Sequence, residues 1–192
     1  MPLSEDLAIV IAEMDGNISH MESVTAGLTR EQFNWRAAPG TWSVGECLNH
    51  LNIVDAGDIA PIRKAIEEGR ARGIRGTGPF HYGMLTTKFV ASQTLPVKKK
   101  YKAPRAFAPP PDADPATTIA EYRRINAEMR KLVMSADGLH LSRVKTELTA
   151  LPAPLRMLIK IPLGARFALT AAHDHRHLWQ AEQVRLHNQF PL

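Results

Sequence analysis

Apolar residues at helical spacing, interrupted by one long glycine- and proline-rich stretch, constrain this chain more than any other feature. Residues 4–28 place Leu7, Ile11, Met14, Ile18, Met21 and Leu28 three, four or seven positions apart. That is one apolar seam of the kind that packed helices bury. Ser4 stands where an N-cap belongs. TREQFNWRAAPGTW (29–42) breaks the period at Pro39-Gly40, a turn signal. SVGE (43–46) is a capping box, in which Ser43 and Glu46 can each satisfy the other's amide. The helix it opens should run to about residue 70, with a kink or break near Pro61. Residues 71–113 are too rich in glycine and proline for regular helix, apart from a short one at 81–93, and suit a crossover or a lid. Asp114-Pro115 starts a third long helix, with the stripe Ile119, Tyr122, Ile125, Met129, Leu132 and Val133 and with Gly138 to close it. After an irregular 139–162, broken by prolines at 152, 154 and 162, a fourth helix should cover about 163–188. Four helices with a short first and a long second connection predict an all-α four-helix bundle with a crossover. A length of 192 residues fits a single domain spanning 1–192.

Composition removes several function classes. Cys47 is the single cysteine, so no internal disulfide can form, and a reducing, cytoplasmic setting is expected. The N-terminal stretch carries acids early and lacks a basic region, so no signal peptide is expected. The most apolar stretch, LPAPLRMLIKIPLGARFALTAA, is interrupted by Arg156, Lys160 and Arg166. No uninterrupted apolar run of about 20 residues exists, and no membrane partner is expected. The formal charge is +5, with much of the excess in VKKKYKAPRAF (97–107). Neither a stacking-aromatic motif nor a helix-turn-helix pattern accompanies it, so it is read as a solvated basic loop and no nucleic-acid partner is expected.

The stretch HDHRH (173–177) carries the chemistry. Each helical residue advances about 100°, so His173 and His177 share a face while His175 points about 200° away from His173. The pair lies beside the seam Phe167, Ala171, Asp174, Leu178, Ala181. Two histidines alone make a weak site. His50, two turns into the second helix among Cys47, Ile53 and Val54, is the best third ligand. Three neutral imidazoles leave coordination positions open, as catalytic sites require. The same residues also fit a core histidine and a surface pair. Cys47 and Glu46, one turn before His50, are candidate fourth ligands. Asp174 is a candidate acceptor that would orient a ligand imidazole. Gln180 lies in the row of the pair, and His81 opens the short helix of the lid. His20, His140 and His187 show no such pattern.

Two stretches together resemble a known family. NWRAAPGTWSVGECLNHLNIVD resembles the second-helix entry of the DinB-like (YfiT-like) metalloenzymes, and AAHDHRHLWQAEQV resembles their last-helix H-x-x-x-H motif. The resemblance implies an up-down-down-up four-helix bundle, often dimeric. It also implies a divalent metal, usually zinc or nickel, held by three histidines, which here are His50, His173 and His177. Some members resemble enzymes that use low-molecular-weight thiols. The basic, proline-rich 97–113 segment departs from the pattern.

The expected function is therefore a metal-dependent enzyme of hydrolase or thiol S-transferase type acting on a small molecule. A divalent ion lowers the pKa of water or of a thiol toward neutrality and so supplies a nucleophile. Glu46, Asp174, Gln180 and His81 are the candidates for proton transfer or for lining the pocket. The alternative is a non-catalytic, metal-stabilised protein that senses or carries a ligand.

Overall fold

A computed structural model of the chain describes residues 3–96, 103–149, 151 and 153–191. The first part of the basic segment read above as a solvated loop, 97–102, lies outside the described residues. The fold is mostly helical, with one small sheet. Four long helices dominate: α1 (Glu5–Thr25), α3 (Val44–Ala71), α5 (Pro115–Ser135) and α7 (Leu163–Arg185). Short elements fill the connections: α2 (Arg30–Asn34), α4 (Met84–Ala91), a 3₁₀ turn (Arg105–Phe107) and α6 (Ala153–Leu158). Strands β1 (Lys145–Glu147) and β2 (Lys160–Pro162) pair antiparallel, with Thr146 opposite Ile161.

The helices begin where local chemistry dictates. Ser43 Oγ accepts from the Glu46 amide (3.1 Å) and Glu46 Oε2 from the Ser43 amide (3.0 Å), so the capping box of α3 forms in full. Thr29 and Gln32 make a second box at α2. Asp114 caps α5 through the Thr117 amide (2.8 Å), with Pro115 in the first turn. Ser4 takes the N-cap position of α1 without a side-chain cap bond. Gly138 follows α5 at φ +77°, a conformation that a side chain would strain.

Each long helix packs on two others: α1 on α5 and α7, and α3 on the same two. Two apolar clusters fill the interior. One joins Leu7, Val10, Ile62, Ile66, Met129 and Phe167, and the other joins Met21, Val24, Leu48, Leu51, Tyr122 and Leu178. Burying each such large side chain contributes about 1.5–3 kcal/mol. Along α1, α3 and α7 the residues between the two clusters are buried and polar: Asn17, Asp55, Asp58, Arg166, Thr170 and Asp174. Cross-links fix the pairing. Asn52 donates to the Thr118 carbonyl (3.0 Å) and Arg63 to Glu128 (2.7 Å), so partners rise together along α3 and α5. Asn17 donates to the Ala171 carbonyl (2.9 Å) and Arg185 to that of Ser23 (2.9 Å), so they rise together along α1 and α7. Between α3 and α7 the order reverses, as Asp58 pairs with Arg166 while His50 meets His173.

Two sequence expectations need correction and one is narrowed. Of the kink or break expected near Pro61, the break does not occur, since α3 continues through that residue. The carbonyl that Pro61 leaves without an amide partner belongs to Gly57, which is exposed and can be hydrated, while Asp58, Ile62 and Ile66 anchor both sides. The stretch 139–162 is not irregular throughout, since it holds β1, α6 and β2; three-residue strands are too short to show a period. On α1 the buried stripe is Leu7, Val10, Met14, Asn17, Met21 and Val24, with Ile11 and Ile18 half-buried.

Two glycines of α3 should respond oppositely to alanine. A Cβ at Gly45 would stand 2.6 Å from the buried Phe33 ring, whereas one at Gly57 would meet nothing within 4 Å. Gly45→Ala should cost about 1–3 kcal/mol through overpacking. Gly57→Ala should gain up to about 1 kcal/mol from helix propensity. Urea unfolding at equal slope measures both.

Candidate metal centre

The capping box sets where α3 begins, and His50 follows two turns later with 5% of its surface exposed. From α7, His173 and His177 project one turn apart toward it. One ring nitrogen from each of the three lies within 4.8 Å of the others, and no other such group of three metal-ligating side chains occurs among the described residues. His50 Nε2 and His173 Nε2 are 3.4 Å apart. Two nitrogens bound tetrahedrally to one ion at about 2.0–2.1 Å would stand roughly 3.3–3.4 Å apart. The spacing therefore fits a shared divalent ion. His175 is exposed and turned toward α1, its ring 6.0 Å from that of His20, as the helical angle requires.

The remaining ring nitrogens are held from outside the group. His50 Nδ1 donates to the Phe107 carbonyl (2.8 Å), which the 3₁₀ turn of the crossover presents. A carbonyl only accepts, so the proton sits on Nδ1 and the lone pair of Nε2 faces the other imidazoles. His177 Nδ1 donates to Gln180 Oε1 (3.1 Å), with the same consequence. The Trp42 ring closes one side, 4.8 Å from the His50 ring and 5.6 Å from that of His177.

Burial favours the neutral form of all three imidazoles, the form a ligand needs. Desolvation, then the neighbouring His50 and Arg176, pulls His177 down to about 3. Desolvation and the two other imidazoles hold His173 well below the usual range. Burial also lowers His50, against an opposing contribution from the Phe107 carbonyl.

The other sequence candidates sort themselves by their partners. Gln180 orients His177, as above. Asp174 does not orient a ligand ring. It is buried in the polar layer, accepts from the Tyr122 hydroxyl (3.0 Å) and is pushed up to about 7 by burial. Asp55 is held well above the carboxylate range by burial and by the Asp174 charge. Glu46 is occupied by the cap and by Arg36 (2.7 Å). Cys47 is fully buried in the apolar cluster, its thiol pushed up by desolvation. His81 is exposed ahead of α4 and stands outside the triad. Sequence reasoning missed Trp42, Tyr122 and the Phe107 carbonyl. Trp42 was findable, because it directly precedes the cap in TWSVGE. A backbone carbonyl leaves no mark in a sequence.

Two opposed pH dependences follow for the metal-free protein. His177 is lowered in the fold, so the unfolded chain takes up more protons below about 6.5, and the stability this residue lends is lost as pH falls toward about 3. Relative to His177→Gln under chelator, the wild type should lose melting temperature over that window. Asp55 is raised, so its contribution is present in acid and lost as pH rises above the ordinary carboxylate range. The wild type should therefore lose ground against Asp55→Asn as pH rises from about 4 to 7.

A family model described as the DinB superfamily matches residues 13–181, a span that includes all three histidines, the whole of α3 and most of α7. No match was found among curated proteins or among solved structures. The chain belongs to the DinB superfamily.

Proposed function

We propose that the protein is a metal-dependent enzyme of hydrolase or thiol S-transferase type, with His50, His173 and His177 holding a zinc or nickel ion. The observation that carries this is the convergence of three imidazoles, two of them with tautomers set by acceptors outside the group. All-nitrogen donor sets suit zinc and nickel better than magnesium or calcium. Three ligands leave coordination positions for a small molecule. A bound divalent ion would supply Lewis acidity, lowering the pKa of what it holds. The chain's own part is to aim the lone pairs, through the Phe107 carbonyl and Gln180, and to shield one side with Trp42. A transferase would take its nucleophile from a low-molecular-weight thiol, since Cys47 is fully buried and is not one of the converging ligand groups.

The scaffold reading is a single-domain four-helix bundle running up-down-down-up. It is supported by the cross-links, which rise together for α1 with α7 and α3 with α5 and reverse between α3 and α7. The lone buried cysteine supports a cytoplasmic setting.

A second reading, a metal-stabilised ligand sensor, is favoured by one observation. Both carboxylates nearest the triad in sequence are committed elsewhere, Glu46 to Arg36 and Asp174 to Tyr122. An enzyme here would have to work without a free carboxylate supplied by those two residues.

Protein prepared without a polyhistidine tag should carry about one equivalent of zinc or nickel by elemental analysis, lost in His50→Ala and His177→Ala. An empty wild type whose melting does not change on adding either metal would overturn the reading. Gln180→Leu should keep the fold and weaken metal affinity about 10–100-fold by competition titration. A panel of esters, amides and thiol–electrophile pairs separates the two functions. Turnover abolished by chelation marks the enzyme, and saturable binding without product marks the sensor.

A further inference from the structure

The last part of the crossover is tied to the bundle at two unequal points. At one, Ala113 is 5% exposed within an apolar cluster, and its amide and carbonyl both bond to the Asn34 side chain (2.7 and 2.8 Å). Arg30 donates twice to the neighbouring Asp112 (3.3 and 3.0 Å). At the other, the turn Arg105–Phe107 offers one backbone carbonyl, that of Phe107, to His50 Nδ1. Between them Pro109, Pro110 and Pro111 have no amide to donate.

The hold at the turn is thin. No residue from 103 to 111 is buried. Phe107 is half-buried and belongs to no apolar cluster of the described residues. The amides of Phe107 and Ala108 bond back within the turn, to the carbonyls of Pro104 (2.9 Å) and Arg105 (3.2 Å). Among the described residues, the bond from His50 is the one hydrogen bond that joins 103–111 to another part of the chain. A turn held by so little buried surface and one bond opens at low cost.

The donor of that bond is a ring with two places for its proton. On Nδ1 the proton goes to the carbonyl, as in the structure. On Nε2 it would face His173 Nε2, 3.4 Å away, and Nδ1 would turn a lone pair toward a carbonyl that cannot donate. That second form gives up the turn. A ring nitrogen that binds a metal carries no proton, so an ion on Nε2 leaves Nδ1 as the proton's one place. The charge of the ion also strengthens Nδ1–H as a donor.

We propose that the turn Arg105–Phe107 is a latch that closes on the bundle when His50 holds a divalent ion. The latch rests on the metal reading above and extends it, because occupancy of the centre is then felt in the crossover. Such coupling is reciprocal, so a closed turn tightens metal binding by the same factor.

Hydrogen exchange read by mass spectrometry tests the latch on the full, untagged chain. Samples carry either chelator or about one equivalent of zinc, and the zinc content of each is measured. The Phe107 and Ala108 amides should exchange about tenfold more slowly with zinc. Those of Arg72 and Gly73, at the opposite end of α3 from His50, should not change. His177→Ala leaves both partners of the latch in place and should abolish the protection. Phe107→Gly keeps a carbonyl at 107 while freeing the backbone. It should weaken zinc binding about tenfold by competition titration, with helix content unchanged. Zinc bound in full with the two amides unprotected would overturn the latch and leave the metal centre standing. So would equal slowing at Arg72 and Gly73, which marks a fold tightened throughout, or zinc affinity indifferent to Phe107→Gly. A chain that takes up no zinc would overturn both.

Discussion

The ion pair between Asp58 and Arg166 ties α3 to α7 in the middle of the molecule, with the two side chains 1% and 5% exposed. Everything at the histidines depends on it, because it sets the register of the helix that carries His50 against the helix that carries His173 and His177. Charges so deeply buried persist when each remains paired and hydrogen-bonded, and Thr149 adds its hydroxyl to Asp58. A buried pair of this kind contributes little net stability over an apolar one. Its value here is register, since a slip of α7 by one residue would carry its histidines about 100° around the helix.

Asp58 and Arg166 belong to a polar layer that also contains Asn17, Asp55, Thr170 and Asp174, between two apolar clusters. The layer and the triad are built by the same helices and face the same problem, that of placing titratable groups out of water. They resolve it in opposite ways. The carboxyls Asp55 and Asp174 are pushed up toward their protonated forms, and the imidazoles are pushed down toward theirs without a proton. In both cases burial favours the neutral species. For a carboxyl that yields a hydrogen-bonding core group, and for an imidazole it yields an exposed lone pair. The carboxylate nearest His173 in sequence thus becomes part of the scaffold, and the task of orienting the ligand rings passes to an amide and a backbone carbonyl.

Much of the fold was legible because it is local. The capping box at Ser43 and Glu46 and the Asp114-Pro115 start required only neighbours within one turn, and both formed as read. The seams of α5 and α7 were legible because their apolar residues repeat at the helical period. The α1 stripe was read half a face off, because Asn17 is buried by a partner on α7 and Ile18 is only half-buried. The short strands and the unbroken passage through Pro61 were not legible, because each depends on what packs beside it. At the site, the split of HDHRH into a pair and an outward residue follows from helix geometry alone, and the structure agrees with it.

The sequence by itself determined where the helices begin, which face of α7 carries two imidazoles, and that His175 looks elsewhere. These are consequences of about 100° per residue and of hydrogen bonds closed within a few positions. Only the tertiary structure decided that Phe107, far along the chain in a crossover without regular pattern, lends its carbonyl to His50, that Asp174 turns to Tyr122, and that α4 and α6 leave their apolar sides in solvent. Those outcomes depend on distances between segments remote in sequence. Such distances are set by how the helices pack, and no periodicity within one segment encodes them.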